Sequence, residues 1–210
     1  MAEDLGARFE AWQQALGDLT GSEESARAWR HHRYKFAYEL GHALVGDRRS
    51  PRVSGHVVYG VWLRWGLLYV GQTTEAERRL RDLAIGESHH LANTFPPELW
   101  DQVLVISWPD LPEAQSVPAE LEPHTVGLAL EHRLHAWLQP LANDTRRTDG
   151  GGWRKVNWAT SRSRGAKASH QVGELFQAVQ GIWRAAEGRR DTVRLPSSAQ
   201  LTYPQDLLST

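Results

Sequence analysis

Tyr59 in Val57-Val58-Tyr59, Tyr69 in Leu68-Tyr69-Val70-Gly71-Gln72-Thr73, Arg79 in Arg78-Arg79-Leu80 and Glu131 in Leu130-Glu131-His132 are side chains whose types and order suit phosphate chemistry. The tyrosines stand ten residues apart, and Arg79 follows the second by another ten. A phenol hydroxyl both donates and accepts a hydrogen bond, so it can hand on a proton. The planar fork of an arginine matches a phosphate better than the point charge of lysine. Glu131 falls among Leu128, Leu130, Leu134, Trp137 and Leu138, where a carboxylate is costly unless it meets a cation or faces a cleft. One carboxylate fits a hydrated Mg²⁺ (or Mn²⁺) that shares phosphate oxygens, not an all-protein cage. None of these residues is unusual alone. Their joint order carries the reading, including the nine-residue step from Glu131 to Pro140 and three more to Asn143.

The elements that must position them follow from hydrophobic period. Residues 56–71 alternate β-branched and aromatic residues around Arg64-Trp65-Gly66 and predict a hairpin. Side chains two apart share a strand face, so Tyr59 lies with Val57 and Val61 while Trp62 points the other way. Thr73 or Thr74 is the expected N-cap of a helix running to about Ile85, with Arg79 on its accessible face. Asp101–Trp108 reads as a third strand, followed by a proline-rich acidic loop and a helix from about Val126 to Gln139, stopped by Pro140. Before this region, residues 5–19 and 24–46 show helical spacing; after it, Val172 to Trp183 mark a last amphipathic helix, and the tail from Leu195 reads as irregular.

Composition bounds the rest. The chain has 210 residues, 40% hydrophobic, with a net charge of −1, enough for a substantial core. It has no cysteine, which excludes disulfides and thiolate metal sites. No apolar run of spanning length exists and the first residues lack a signal-like pattern, so a cytoplasmic protein is expected. Most of the ten tryptophans are expected as core anchors. Near neutrality hides a local excess: residues 144–170 hold seven basic side chains against Asp144 and Asp149. This stretch reads as a basic, glycine- and serine-rich arm. Arg146, Arg147, Arg154, Lys155, Arg162, Arg164 and Lys167, with Trp153 and Trp158 between them, suit phosphate contacts plus stacking, so DNA is the expected partner.

In this order the motifs resemble the GIY-YIG nuclease domain over about 90 residues. The resemblance implies an α/β fold with a small β-β-α-β-α sheet flanked by helices, in a nuclease domain at 53–143. An N-terminal helical extension (1–52) precedes it, and the basic arm with C-terminal helix and tail (144–210) follows. It implies a metal-dependent endonuclease that hydrolyses DNA phosphodiesters, leaving 5′-phosphate and 3′-hydroxyl ends. Tyr59 matches the tyrosine acting on the attacking water and Tyr69 the one that helps position it. Arg79 matches the phosphate-binding arginine, Glu131 the metal ligand, Asn143 the closing asparagine and Gly71 a supporting glycine. Gly60-Val61-Trp62 looks closer to the first motif by letter, but Trp62 precedes Tyr69 by only seven residues and has no hydroxyl.

Two positions depart from the family pattern. Val57 replaces a glycine of the first motif, and Leu83 stands where many relatives carry His or Tyr, leaving His89 or His90 as replacement helpers. The organisation resembles small free-standing restriction-type enzymes, which implies phage defence and a homodimer or higher homo-oligomer. A structure-selective repair or recombination nuclease, and a non-catalytic DNA-binding module on the same scaffold, are the alternatives. Glu131-His132-Arg133-Leu134-His135 is not a His-Glu-x-x-His zinc motif, and His132 and His135 lack a third ligand in sequence. His31 and His32 read as a solvated helix face.

Overall fold

β1 (Val57–Leu63) is buried along its whole length, because it is the central partner of β2 (Gly66–Thr73) and β3 (Gln102–Ile106) and both of its faces are covered. The computed structural model describes residues 4–46, 52–86, 90–143, 147–150, 152–154, 160–188 and 193–209. A fourth strand, β4 (Ala199–Thr202), extends the sheet beyond β3, giving the order β2-β1-β3-β4 with every pair antiparallel. The protein is therefore mixed α/β around a four-stranded antiparallel sheet. The tail was expected to be irregular. Instead β4 pairs with β3 over four residues, all half-buried, and such a short run carries no alternation to read.

Helices cover the sheet on both sides. On one, α2 (Glu23–Val45) and α3 (Ala76–Ile85) bring Phe36, Leu40, Leu44, Leu80 and Leu83 against Val57, Tyr59, Val61 and Val105. α2 and α3 cross so closely that a Cβ on Gly41 would lie 2.7 Å from the Arg81 carbonyl oxygen. On the other side, α5 (Pro123–Leu138), α6 (Arg164–Ala168) and α7 (Gly173–Ala186) pack on Val58, Trp62, Val70, Leu104 and Ile106. Trp183 of α7 lies over Gly60, where a Cβ would come within 2.5 Å of the indole. A short α4 (Leu91–Thr94) stands between α3 and β3.

Local signals explain most boundaries. Ser22 and Ser25 form a capping box at the start of α2. Thr73 Oγ1 accepts the Glu75 amide at 3.0 Å, although Glu75 itself is the N-cap of α3. Gly86, at φ 86°, ends that helix in the left-handed conformation glycine tolerates. α5 begins three residues before Val126 because Pro123 occupies its first turn, where the missing amide hydrogen costs nothing. α6 falls inside the arm read as a loop. Its Gly165 allows contact with α5, a Cβ there meeting the Leu128 carbonyl oxygen at 2.4 Å.

Tryptophan burial is less uniform than composition implied. Trp62, Trp100, Trp108 and Trp183 are buried and Trp29, Trp137 and Trp153 half-buried, while Trp12 and Trp65 are exposed. Trp158 lies outside the described residues.

α1 (Leu5–Thr20) belongs to neither layer: it folds back on α2 through the Gly21-Ser22 turn, and none of its residues is buried. Among the described residues no helix is long and apolar enough to cross a membrane.

Candidate functional site

The hairpin register places the two tyrosines together. Val61 pairs with Tyr69 and Tyr59 with Gly71, so both rings rise from the α2–α3 side of neighbouring strands. Their centroids are 6.1 Å apart and the planes are inclined at 39°. Gly71 makes this possible: a Cβ there would lie 2.6 Å from the Tyr59 hydroxyl and 2.8 Å from the Tyr69 ring. Any side chain at 71 would occupy the space where the phenols meet.

α3 starts immediately after β2 and carries Arg79 back over the pair. Its Nε–H donates to the Tyr59 hydroxyl at 3.3 Å, and the Tyr69 hydroxyl joins the same hydrogen-bonded cluster. The adjacent Arg78 faces solvent instead, bound to Glu75 at 2.7 Å with Asp82 at 3.8 Å. Of the two consecutive arginines, the helix phase delivers Arg79. Glu131 enters from α5, half-buried, and its negative charge acts on both phenols.

Electrostatics fix the protonation state. Burial, opposed by the Arg79 charge, holds the Tyr59 hydroxyl above its ordinary range, and Glu131 adds to the rise. Tyr69 is raised by burial first, then by Tyr59 and Glu131, with Arg79 again opposing. Arg79 itself loses affinity for its proton through burial but regains more from the two phenol oxygens. Both tyrosines are thus neutral hydroxyls at physiological pH, beside a charged guanidinium. They can relay a proton; they are not standing phenolates.

The far edge of β2 is braced by the segment after α5. Val70 turns its amide and carbonyl away from β1, and the Asn143 carboxamide satisfies both: Oδ1 accepts from Val70 N–H, and Nδ2 donates to its carbonyl, each at 3.0 Å. His135 Nε2 donates to the same carbonyl at 3.1 Å, and the Ala142 amide to Leu68 O at 2.8 Å. Asn143 acts as a one-residue substitute for a missing strand. His135, considered in sequence only to be rejected as a zinc ligand, is this second brace. Its place one helical turn after Glu131, on the same face, was the available signal.

Other sequence candidates fall elsewhere. Leu83 is fully buried with Tyr59 in the core, so the helper position is a packing position here. His90 is exposed at the start of α4, where its carbonyl caps Asn93 and Thr94; His89 lies outside the described residues. Arg147 donates to the carbonyls of Gln139 and Pro140 at 2.9 and 3.2 Å and stacks on Trp153, whose ring also meets His135. Both close the C-terminal end of α5. Arg154, Arg162, Arg164 and Lys167 are exposed, whereas Arg146, Lys155 and Trp158 lie outside the described residues.

Among the described residues no three His, Asp or Glu side chains converge, so a cation at this site would rest on Glu131, water and substrate oxygens. A groove of about 620 Å³ lined by Tyr38, Glu39, His42, Arg52 and Arg81 contains none of the four residues. Arg79 and Glu131 are the half-exposed members of the set, whereas both tyrosines are buried.

No family model matches this chain, and no curated protein or solved structure matches it.

Two outcomes follow from the packing and the charges. Gly71→Ala should lower the urea-unfolding free energy by about 1–3 kcal/mol, since the new methyl overpacks both rings; wild-type stability would contradict the packing. Because the folded tyrosines titrate above their unfolded value, their stabilisation is complete below about pH 10 and is lost as pH rises beyond it. The stability advantage of wild type over Tyr59→Phe should therefore shrink between about pH 8 and about pH 11. A constant difference would show that Tyr59 is not raised.

Proposed function

We propose that this chain is a metal-dependent endonuclease of the GIY-YIG type that hydrolyses DNA phosphodiesters. The observation that carries the reading is the junction of Tyr59, Tyr69 and Arg79 in one hydrogen-bonded cluster within reach of the Glu131 charge. Cleaving a phosphodiester requires water activation, compensation of charge on the phosphate, and stabilisation of the leaving oxygen. Three different side-chain chemistries at one place match those three needs.

Arg79, half-exposed while it bonds both phenols, binds the phosphate through its guanidinium. The Tyr59 hydroxyl, polarised by that same guanidinium, takes a proton from the attacking water as it passes its own to a phosphate oxygen held by Arg79, so the phenol is neutral before and after the step. Tyr69 orients the pair. Glu131, whose charge raises both phenols, would hold Mg²⁺ or Mn²⁺, and the ion would supply charge stabilisation for the leaving oxygen. An antiparallel hairpin followed at once by α3, which brings both tyrosines and Arg79 together, supports this reading.

Exposed Arg154, Arg162, Arg164 and Lys167 supply a basic surface for the DNA backbone, and Arg147 and Trp153 hold the arm against the end of α5. Restriction or phage defence is the biological role that suits a chain of this organisation, working as a homodimer or higher homo-oligomer because one active site cuts one strand. A second reading, a DNA-binding module without catalysis, is favoured by one observation: Tyr59 is fully buried and the helper position is a core leucine. The tyrosine–arginine cluster weighs against it, because binding alone needs no phenol hydroxyl.

With Mg²⁺ or Mn²⁺, the wild-type protein should cut members of a plasmid and phage DNA panel, including modified DNA. Glu131→Ala should reduce that rate at least about hundredfold while leaving DNA affinity near wild type, as expected for lost charge stabilisation; undiminished cleavage would remove Glu131 from the mechanism. Replacing Arg162 and Arg164 by Gln should weaken binding and flatten the salt dependence by roughly one to two units of slope. An unchanged slope would make the arm a solvated surface.

A further inference from the structure

α1 carries Leu5, Phe9, Trp12, Leu16 and Leu19 at alternating steps of four and three residues, the repeat of a coiled-coil seam. The structure leaves this seam open except at Leu16, which is half-buried. Leu5 is 75% exposed, Phe9 and Trp12 each 55% and Leu19 43%, and the two rings lie side by side with centroids 5.4 Å apart. A helix of 16 residues with nothing buried is marginal in water, so its apolar face requires cover. We propose that a second copy of this chain supplies it, through α1 packed against α1 about a twofold axis.

The sequence of the helix argues for that occupant. Trp12 lies seven residues from Leu5 and seven from Leu19, so an antiparallel pair centred on Trp12 sets Leu5 of each copy against Leu19 of the other. Such an isologous contact closes on itself. The positions flanking the seam are Gly6, Arg8, Gln13, Ala15 and Thr20, which bring only one charge to the interface from each copy. The exposed apolar surface amounts to on the order of 400 Å² per copy if each aromatic residue offers about 150–250 Å² when fully exposed. Two copies then bring about 800 Å², and the flanking side chains carry the contact towards the roughly 1,000 Å² of a specific interface. An anionic membrane is the poorer fit, because the helix and its cap carry Asp4, Glu10 and Asp18 against Arg8 alone.

This inference gives a surface to the oligomer named above but rests on α1 alone, and it is testable without DNA or metal. Sedimentation velocity over a micromolar to sub-millimolar series should give the mass of two chains for wild type. Phe9→Glu with Trp12→Glu should raise the dimer dissociation constant on the order of a hundredfold or more. The thermal midpoint of the variant, measured where wild type is also monomeric, should be unchanged because neither side chain belongs to the core. Leu5→Lys with Leu19→Lys, at the two ends of the seam, should act in the same direction. A wild-type protein that is monomeric throughout, a dimer indifferent to both variants, or α1-dependent flotation with anionic vesicles in place of dimerisation would each overturn the proposal.

Discussion

A tyrosine hydroxyl with no solvent exposure must find its hydrogen bonds inside the protein, and in this chain Arg79 provides one for Tyr59. The surrounding structure serves that contact. β1 has to be central for its tyrosine to be covered, and β2 must stand in the register that puts Gly71, not a side chain, opposite Tyr59. α3 must follow β2 within a few residues and in the phase that turns Arg79 inward and Arg78 outward. Leu80 and Leu83 fix that phase, because both are fully buried on the same helix.

The other half of the cluster depends on a sheet edge. β2 is the outermost strand on its side, and an edge strand offers unpaired amides and carbonyls. Asn143 and His135 occupy those groups at Val70, next in sequence to Tyr69. His135 lies one turn beyond Glu131, so the contact that braces the strand also fixes the distance from the carboxylate to the phenols. Disturbing the end of α5 would therefore move the Glu131 charge relative to both hydroxyls without touching any of the three residues. Arg147 and Trp153, packed on that helix end, belong to the same support.

Much of this was legible because it is local. Spacing to Tyr69 and the hydroxyl favour Tyr59 over Trp62, strand alternation sets the two on opposite faces, and the structure places them in opposite cores. The bounds of α1, α2 and α3 follow hydrophobic spacing and caps to within a residue or two, and α7 runs three residues past Trp183. What was not legible is long-range or weakly patterned. β4 is a strand only because β3 offers an edge. The role of Asn143 depends on a backbone 73 residues away, and that of His135 on one 65 away. Arg147 and Trp153 read as arm residues because a cap on a distant carbonyl has no sequence period. Leu83 read as a departure from a pattern, whereas its burial makes it a core residue.

The most direct measurement is single-turnover cleavage of a DNA that the wild-type protein cuts, compared with Tyr59→Phe at matched fold stability and matched DNA affinity. Removing one oxygen atom leaves the ring that fills the space over Gly71 and deletes only the hydroxyl that Arg79 bonds. Loss of cleavage by at least about hundredfold, in the range expected for a lost proton-transfer group, is the predicted result. Cleavage by Tyr59→Phe at the wild-type rate would show that the buried tyrosine–arginine contact is architectural and that the chemistry lies elsewhere.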